Sequence, residues 1–77
     1  MFDNKNILIT GGSGMIGRQL VSLLLEEKAN VHVADLNEPI NMSNKITFHN
    51  IDLKDFGNCK DVCKNMDYVF NLVGIKC

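Results

Sequence analysis

Three glycines at regular spacing are the residues of this chain whose chemistry is easiest to interpret. Gly11, Gly14 and Gly17 lie within the segment Thr-Gly-Gly-Ser-Gly-Met-Ile-Gly, residues 10–17. The first glycine allows a sharp turn, the second lets the backbone approach a ligand, and the third lets a helix pack closely on strands. A helix that begins here would offer unpaired N–H groups and a partial positive charge to a phosphate. The spacing therefore predicts a loop that holds a pyrophosphate.

The surrounding sequence decides between a binding loop and a glycine-rich turn that binds nothing. The glycines follow a short apolar run and precede an amphipathic segment, which is the context of a strand and a helix. Asp35 stands 18 residues after Gly17, at the end of the next apolar run. Its carboxylate could accept hydrogen bonds from adenosine ribose hydroxyls and would repel a 2′-phosphate, so NAD is favoured over NADP. No Lys-Ser or Lys-Thr pair ends the loop, which disfavours a nucleotide-hydrolysing P-loop.

Other residues that could bind or react are more simply interpreted as structural or solvated. Arg18 is the only arginine and lies on the first predicted helical turn, where a solvated side chain is a simpler interpretation than a phosphate ligand. His32 and His49 have no acid or serine at catalytic spacing. Cys59 and Cys63 are four residues apart but lack the second pair of ligands that a zinc site needs. We therefore expect no metal site and no catalytic residue.

The elements that must position the glycine loop alternate between strand and helix. The inward face of the first helix is predicted from the periodicity of its apolar residues, which are Ile16, Leu20, Leu23 and Leu24, widened by Val21 and Leu25. Residues 36–44 form a polar connection that predicts a loop, and the inner contacts of the second helix are expected from Phe56, Val62 and Met66. The alternation indicates a parallel sheet. The predicted elements are a strand over residues 6–10, a helix from 15 to about 28, strands over 31–35 and 45–49, a helix over 55–65 and a strand over 68–73.

Composition excludes several classes of function. The chain has 77 residues, of which 45% are hydrophobic and 22% charged, and its net charge is -1. These proportions are ordinary for a globular protein, and the charge leaves no basic surface for a nucleic acid. No apolar stretch approaches the roughly 20 residues of a membrane span. The polar N-terminus lacks the apolar core of a signal peptide, so we expect a cytoplasmic location.

The motifs together resemble those of the extended branch of the short-chain dehydrogenase/reductase superfamily, the NAD-dependent epimerase/dehydratase family. Residues 10–17 match the family's Thr-Gly-Gly-x-Gly-x-x-Gly loop, and Asp35 matches its ribose-binding acid. Residues 50–53, Asn-Ile-Asp-Leu, resemble the segment in which an Asp-Leu or Asp-Ile pair lies against adenine. Residues 67–72 resemble the family's fourth strand. The resemblance spans nearly the whole chain in one register.

The resemblance implies a fold and a cofactor site. The fold would be the first half of a three-layer α/β Rossmann-type domain, with about four parallel strands in the order 3-2-1-4 and two helices. The cofactor would be NAD, with NADP disfavoured, and a nucleotide sugar would be the substrate of the parent enzyme. The principal cofactor-binding residues would be Gly11, Gly14, Gly17 and Asp35, with backbone contacts from Ser13, Met15 and Ile16, with Asp52 and Leu53 flanking adenine, and with Val73 and Gly74 beside the ribose.

The chain also departs from the family pattern. Asn71 replaces the usual histidine, and Val73-Gly74 replaces the usual Ala-Ala pair. The family's reaction needs a Tyr-x-x-x-Lys pair, yet the only tyrosine, Tyr68, is followed four residues later by Leu72. We expect residues 1–77 to be the N-terminal part of an NAD-binding domain from a truncated or split gene, without catalytic and substrate regions.

Two hypotheses about function remain open from the sequence. In the first, the chain is the NAD-binding segment of a nucleotide-sugar epimerase or dehydratase, catalytically incomplete by itself. In the second, it is a non-catalytic nucleotide-binding or interaction module of the atypical short-chain dehydrogenase type. Because the predicted fourth strand is apolar on both faces and lies at the sheet edge, we also expect the isolated chain to be marginally stable or to associate through that edge.

Overall fold

Strands and helices alternate along the chain in the computed structural model, which describes residues 2–11, 14–37 and 45–72. The predicted connection over residues 36–44 lies outside the described residues, apart from its first two positions. The elements are β1 (Asn6–Thr10), α1 (Met15–Glu26), β2 (Asn30–Asp35), β3 (Thr47–Asn50), α2 (Phe56–Val62) and β4 (Tyr68–Asn71).

All four strands form one parallel sheet in the order β3-β2-β1-β4. Strand β1 lies between two partners: Ile7 is in register with Val31 of β2 on one side and with Tyr68 of β4 on the other. β2 in turn pairs with β3, with Val33 in register with Phe48. The predicted fold class and strand order are therefore confirmed.

The sheet has an apolar core on each face, which makes the architecture three-layered. Ile7 and Ile9 of β1 contribute to the core under α1, whereas Leu8 contributes to the core under α2. This division follows from the strand geometry, since successive side chains point to opposite faces. The α1 core also contains Val21, Leu24, Ala29, Val31 and Val33, and the α2 core contains Ala34, Leu53, Cys59 and Val62.

The buried face of α1 differs from the predicted one. Ile16 and Leu23 were predicted to face inward, but their exposed fractions are 72% and 59%. The residues that are buried are Gly17, Val21 and Leu24, spaced by four and three positions. The helix therefore rests on the sheet through a glycine, and its contact stripe is rotated by about one residue from the stripe that the largest side chains suggested. Leu20, which was predicted to face inward, and Leu25, which was predicted to widen the inward face, are half-buried at the margins of this contact. Val21, also predicted only to widen that face, is fully buried.

Several predicted element bounds are also wrong at their ends. α1 ends at Glu26, and the chain turns at Lys28, whose φ of 62° is left-handed. β3 begins at Thr47 rather than residue 45, and β4 ends at Asn71 rather than residue 73. These ends are decided by pairing with neighbouring strands, which apolar runs in the sequence do not specify.

α2 is shorter than predicted because local bonds set both of its ends. The Asp55 carboxylate accepts hydrogen bonds from the N–H groups of Gly57 (2.8 Å) and Asn58 (3.4 Å), so Asp55 is the N-cap. After Val62 the chain forms a turn, in which Asn65 has a φ of 64°. Val62 is buried and Met66 is half-buried in the α2 core, as predicted. The predicted inner contact of Phe56 is outside the part of the chain whose side chains are described.

Cys59 is a core residue that the sequence analysis did not identify. Cys59 belongs to α2, and its side chain is fully buried in the core that includes Leu8 of β1. Its Sγ donates a hydrogen bond to the carbonyl of Leu53 at 3.0 Å. Cys63 is half-buried, and neither cysteine forms a disulfide. Across residues 2–11, 14–37 and 45–72, no group of three or more His, Cys, Asp or Glu side chains could hold a metal ion.

His32 and His49 form a side-chain pair between β2 and β3. The Nδ1 of His32 lies 3.0 Å from the Nε2 of His49, and the rings are stacked with centroids 5.3 Å apart. Burial, and secondarily the charge of His49, holds the pKa of His32 below its ordinary value. Because one ring nitrogen must donate and the other accept, the hydrogen bond links the tautomers of the two rings. In the described part of the chain, no helix is long and apolar enough to span a membrane.

The corrected α1 face predicts that truncation of two neighbouring leucines will lower the free energy of unfolding by very different amounts. Leu24→Ala should lower the free energy of unfolding by about 2–5 kcal/mol, because it leaves a cavity between α1 and the sheet. Leu23→Ala should change it by about 0.5 kcal/mol or less, because that side chain is largely exposed. Urea unfolding followed by circular dichroism measures both. Equal losses for the two variants would contradict the observed orientation of the helix.

Candidate functional site

The carboxyl ends of all four strands meet at one edge of the sheet. Asp52 follows β3, Asp35 ends β2, Gly11 follows β1 and Leu72 follows β4, in that order across the edge. Backbone hydrogen bonds continue past the strands here, because Gly11 N donates to Ala34 O (3.0 Å) and Leu72 N donates to Thr10 O (3.0 Å). In open parallel sheets, ligands bind at this edge, where the strand order reverses. The reversal in this sheet falls between β1 and β4, next to the glycine loop.

The glycine loop leaves the start of α1 without a side-chain cap. Gly11 has a φ of 78°, a left-handed conformation that residues with a Cβ rarely adopt. Gly14 is the N-cap of α1, and among the residues that the structure describes no side chain makes a capping hydrogen bond there. The first turn of the helix contains no acidic residue. The first N–H groups of a helix have no partner within the helix, so an anion is the natural partner for this uncapped end.

A cavity of about 330 Å³ opens in front of this helix start. It is lined by Gly11, Gly14, Met15, Ile16, Gly17 and Leu72. A Cβ added at Gly14 would meet only the Gly11 carbonyl oxygen within 4 Å, at 3.7 Å, so nothing in the described protein fills this space. Because Gly14 has extended backbone (φ -76°, ψ 174°), its importance lies in this open approach and not in its conformation. The cavity has the form of a cradle that a side chain would obstruct and a phosphate could occupy.

Asp35 is held in place at the end of β2 by its own turn. Its Oδ1 accepts hydrogen bonds from the N–H groups of Leu36 (2.6 Å) and Asn37 (3.3 Å). The residue is half-buried, and its backbone carbonyl accepts from the N–H of Ile51 at 3.3 Å. The carboxylate is therefore pre-positioned beside the glycine loop, on the strand next to β1, as a ribose-binding acid must be.

The segment after β3 is ordered by hydrogen bonds that Asp52 accepts. The Asp52 Oδ1 accepts from Lys54 N (2.9 Å), and its carbonyl accepts from the Asn58 side-chain amide (3.2 Å). Asp52 is exposed, whereas Leu53 is only 6% exposed and packs in the core under α2. The adenine-flanking role of both residues stays a prediction, and for Leu53 it would fall to the backbone. The predicted roles of Ser13, Val73 and Gly74 lie outside the described residues.

Two features of this edge were not found from the sequence. The hydroxyl of Thr10, which is fully buried, donates to the Asn71 Oδ1 at 2.8 Å and so links the ends of β1 and β4. Arg18 has a buried Nε without a hydrogen-bond partner, although a solvated side chain was the preferred interpretation. Residue type alone could have suggested the threonine link, since Asn71 stands where the family has another hydrogen-bonding side chain.

The residues present fit a dinucleotide at this edge. The open cradle at Gly14 and the uncapped start of α1 suit the pyrophosphate, and the positioned carboxylate of Asp35 suits a ribose. Residues 7–77 match the model of the NAD dependent epimerase/dehydratase family. This chain belongs to that family.

Individual relatives agree with this family assignment, and they are about four times as long as this chain. The chain is 31% identical over 93 residues to a UDP-glucose 4-epimerase of Rickettsia bellii, covering 99% of this chain and 26% of the relative. The solved structure of epimerase Mth375 from Methanothermobacter thermautotrophicus superposes with a TM-score of 0.76 at 35% identity, covering 92% of this chain and 23% of that one. The structure of MoeE5 in complex with UDP-glucuronic acid and NAD gives a TM-score of 0.75 at 31% identity, covering 87% and 22%. The chain thus spans about a quarter of the length of the curated relatives that it matches.

Alanine substitutions at Gly11 and Gly14 should affect the stability of the fold differently, because only Gly11 has a backbone conformation that requires glycine. Gly11→Ala should lower the free energy of unfolding by about 1–2 kcal/mol, because a Cβ is strained at a φ of 78°. Gly14→Ala should change it by about 0.5 kcal/mol or less, since the backbone is extended and the space is open. Urea unfolding of both variants measures the difference, and a larger loss for Gly14→Ala would mean that its cavity is filled by the protein itself.

Proposed function

We propose that this chain binds NAD as the cofactor-binding part of an epimerase or dehydratase that acts on a nucleotide sugar. The observation that carries the proposal is the uncapped start of α1, which faces an open cavity beside the fixed carboxylate of Asp35. The first-turn N–H groups, with the N–H groups of the glycine loop, would hold the pyrophosphate. When bound, NAD accepts and returns a hydride, which is the step that an epimerase or dehydratase of this kind uses.

The two halves of the cofactor would lie on opposite sides of the glycine loop. Asp35 would accept hydrogen bonds from the adenosine ribose, and the segment around Asp52 would lie against adenine at the end of β3. The other half would extend towards β4, where Leu72 lines the cavity and Val73 and Gly74 follow in the sequence. Because the carboxylate of Asp35 would repel a 2′-phosphate, we propose a preference for NAD over NADP.

The nucleotide sugar is inferred from relatives. One is named a UDP-glucose 4-epimerase, and another was solved with UDP-glucuronic acid and NAD. The 77 residues contain no Tyr-x-x-x-Lys pair, so the chain would hold the cofactor without supplying the acid and base of the reaction. We propose that the chain is catalytically incomplete by itself and that it acts in the cytoplasm.

A titration of the 77-residue chain followed by two-dimensional amide NMR tests the cofactor. NAD should shift the signals of Gly11, Gly14 and Asp35, and NADP should shift them less at the same concentration. Asp35→Asn is the matched variant, because an amide Oδ1 can still accept from the following N–H groups while the charge is lost. It should weaken NAD binding and reduce the preference for NAD over NADP by about tenfold.

Two results would count against this assignment. If neither dinucleotide shifted any signal of a well-dispersed spectrum, the chain would not be a cofactor site. If Asp35→Asn kept the full preference for NAD, the acid would not be the residue that discriminates between the cofactors. Ser22→Ala, on the exposed surface of α1, is the control and should bind both dinucleotides as the unchanged chain does.

We further propose that the edge of β4 mediates association of the isolated chain. Among the described residues, β4 pairs only with β1, and it exposes 48% of Tyr68 and 41% of Val69. An edge strand with unpaired backbone groups and apolar side chains is a template for pairing with another chain.

Charge placed on this edge should oppose association. Val69→Lys should shift the chain towards monomer in sedimentation velocity, because a lysine on an edge strand disfavours pairing. Thr47→Lys is the matched control, since it adds the same charge to β3 at the other edge of the sheet. A monomeric unchanged chain with a sharp, concentration-independent melt would refute the proposal, as would equal effects of the two variants.

A further inference from the structure

Arg18 has a buried donor group that nothing in the described protein satisfies. Its Nε is inaccessible to solvent and has no hydrogen-bond partner, and the side chain as a whole is only partly exposed. It is also the only arginine in the chain. A buried guanidinium N–H without an acceptor is unfavourable, so it calls for an explanation, and an anion that the described protein lacks is one.

The geometry of α1 places Arg18 on a defined side of the glycine loop. Gly17 is buried against the sheet, and successive helix residues are rotated by about 100° about the axis. Ile16 and Arg18 therefore lie on opposite sides of Gly17. Ile16 lines the cavity together with Leu72, which follows β4, so Arg18 lies on the side of β2.

The direction of the side chain brings the guanidinium towards the ligand site. Helix side chains point back towards the N-terminus and cover the preceding turn. For Arg18 the preceding turn is the uncapped start of α1, and its own N–H already donates to the Gly14 carbonyl at 2.9 Å. The strand on that side, β2, ends in Asp35. Arg18 is not among the residues that line the cavity, so its guanidinium would reach the adenosine half of a dinucleotide from beside the cavity.

We propose that the Arg18 guanidinium binds a phosphate of the adenosine half of the dinucleotide. The proposal rests on the proposed function, and it assigns to Arg18 the anion that its unpaired Nε lacks. Arginine offers a planar fork of N–H donors that matches phosphate oxygens, whereas the start of a helix offers only backbone N–H groups. Its charge also lies opposite that of Asp35, so the two side chains would act on the same half of the ligand with opposite preferences.

Two phosphates belong to that half, and binding measurements distinguish them. One is the adenosine-side phosphate of the pyrophosphate, which NAD and NADP share; the other is the 2′-phosphate, which only NADP carries. Titration calorimetry of the 77-residue chain with NAD, NADP and adenosine, for the unchanged chain and for Arg18→Gln, separates these sources. Arg18→Gln should weaken the binding of NAD and NADP by about tenfold or more, as expected for loss of a charge-assisted hydrogen bond. It should leave the affinity for adenosine unchanged, because adenosine has no phosphate.

The pattern of loss identifies the phosphate. Equal losses for NAD and NADP assign Arg18 to the pyrophosphate, and a loss confined to NADP assigns it to the 2′-phosphate. Lys5→Gln is the matched control: it removes the same charge from an exposed residue before β1, about 20 Å from Gly11, and should bind all ligands as the unchanged chain does. If Arg18→Gln bound both dinucleotides within twofold of the unchanged chain, the proposal would be overturned while the proposed function stood.

The same measurements distinguish a failure of the proposed cofactor binding from a failure of the proposed role of Arg18. If the unchanged chain bound neither dinucleotide, the proposed function would fail and the role of Arg18 with it. An amide NMR spectrum verifies that each variant is folded. If Arg18→Gln were unfolded, Arg18→Lys would decide by the same criterion, because it keeps the charge but lacks the buried donor. It should weaken phosphate-bearing ligands by about fivefold, and unchanged affinity would overturn the proposal.

Discussion

The burial of β1 is the constraint on which the rest of the structure depends. Ile7, Leu8, Ile9 and Thr10 are all fully buried, because the strand is covered by another strand on each side and by an apolar core on each face. Its partners run parallel to it, so every strand ends at the same edge. The glycine loop leaves β1 at the middle of that edge, between Asp35 at the end of β2 and Leu72 after β4. A central buried strand thus decides where a ligand can bind.

The starts of α1 and α2 differ, because one has a side-chain cap and the other does not. The Asp55 carboxylate accepts from two N–H groups at the start of α2, so that end is satisfied internally. Gly14 makes no such bond at the start of α1. α1 is instead stabilised by packing, with Val21 and Leu24 buried against the sheet. Its N–H groups stay available because its stability comes from its buried face.

In the proposed binding mode, side chains of opposite charge would act on the adenosine half of the cofactor. The carboxylate of Asp35 is held by the two N–H groups that follow it, and the Nε of Arg18 is buried without an acceptor. Between β2 and β3, the stacked pair of His32 and His49 joins the outer strand to the sheet, in which Asn50 at the end of β3 is in register with Asp35. The site is consequently supported from β3 as well as from β1.

The sequence by itself determined the features that depend on neighbouring residues. The glycine spacing, the apolar run before it and Asp35 at the end of the next run were enough to predict a loop between a strand and a helix, because φ requirements and strand or helix periods are local. The strand order was implied by the resemblance to the family, and the sheet has that order. Tertiary structure decided the rest. Ile16 and Leu23 are as apolar as Leu24, yet only Leu24 is buried, because the helix rests on Gly17 where a side chain is missing. The packing of the layers also decides other features: the burial of Cys59, the exposure of Asp52 beside a buried Leu53, and the unpaired Nε of Arg18. These depend on which surfaces meet in the folded protein, and the periodicity of the sequence does not specify that.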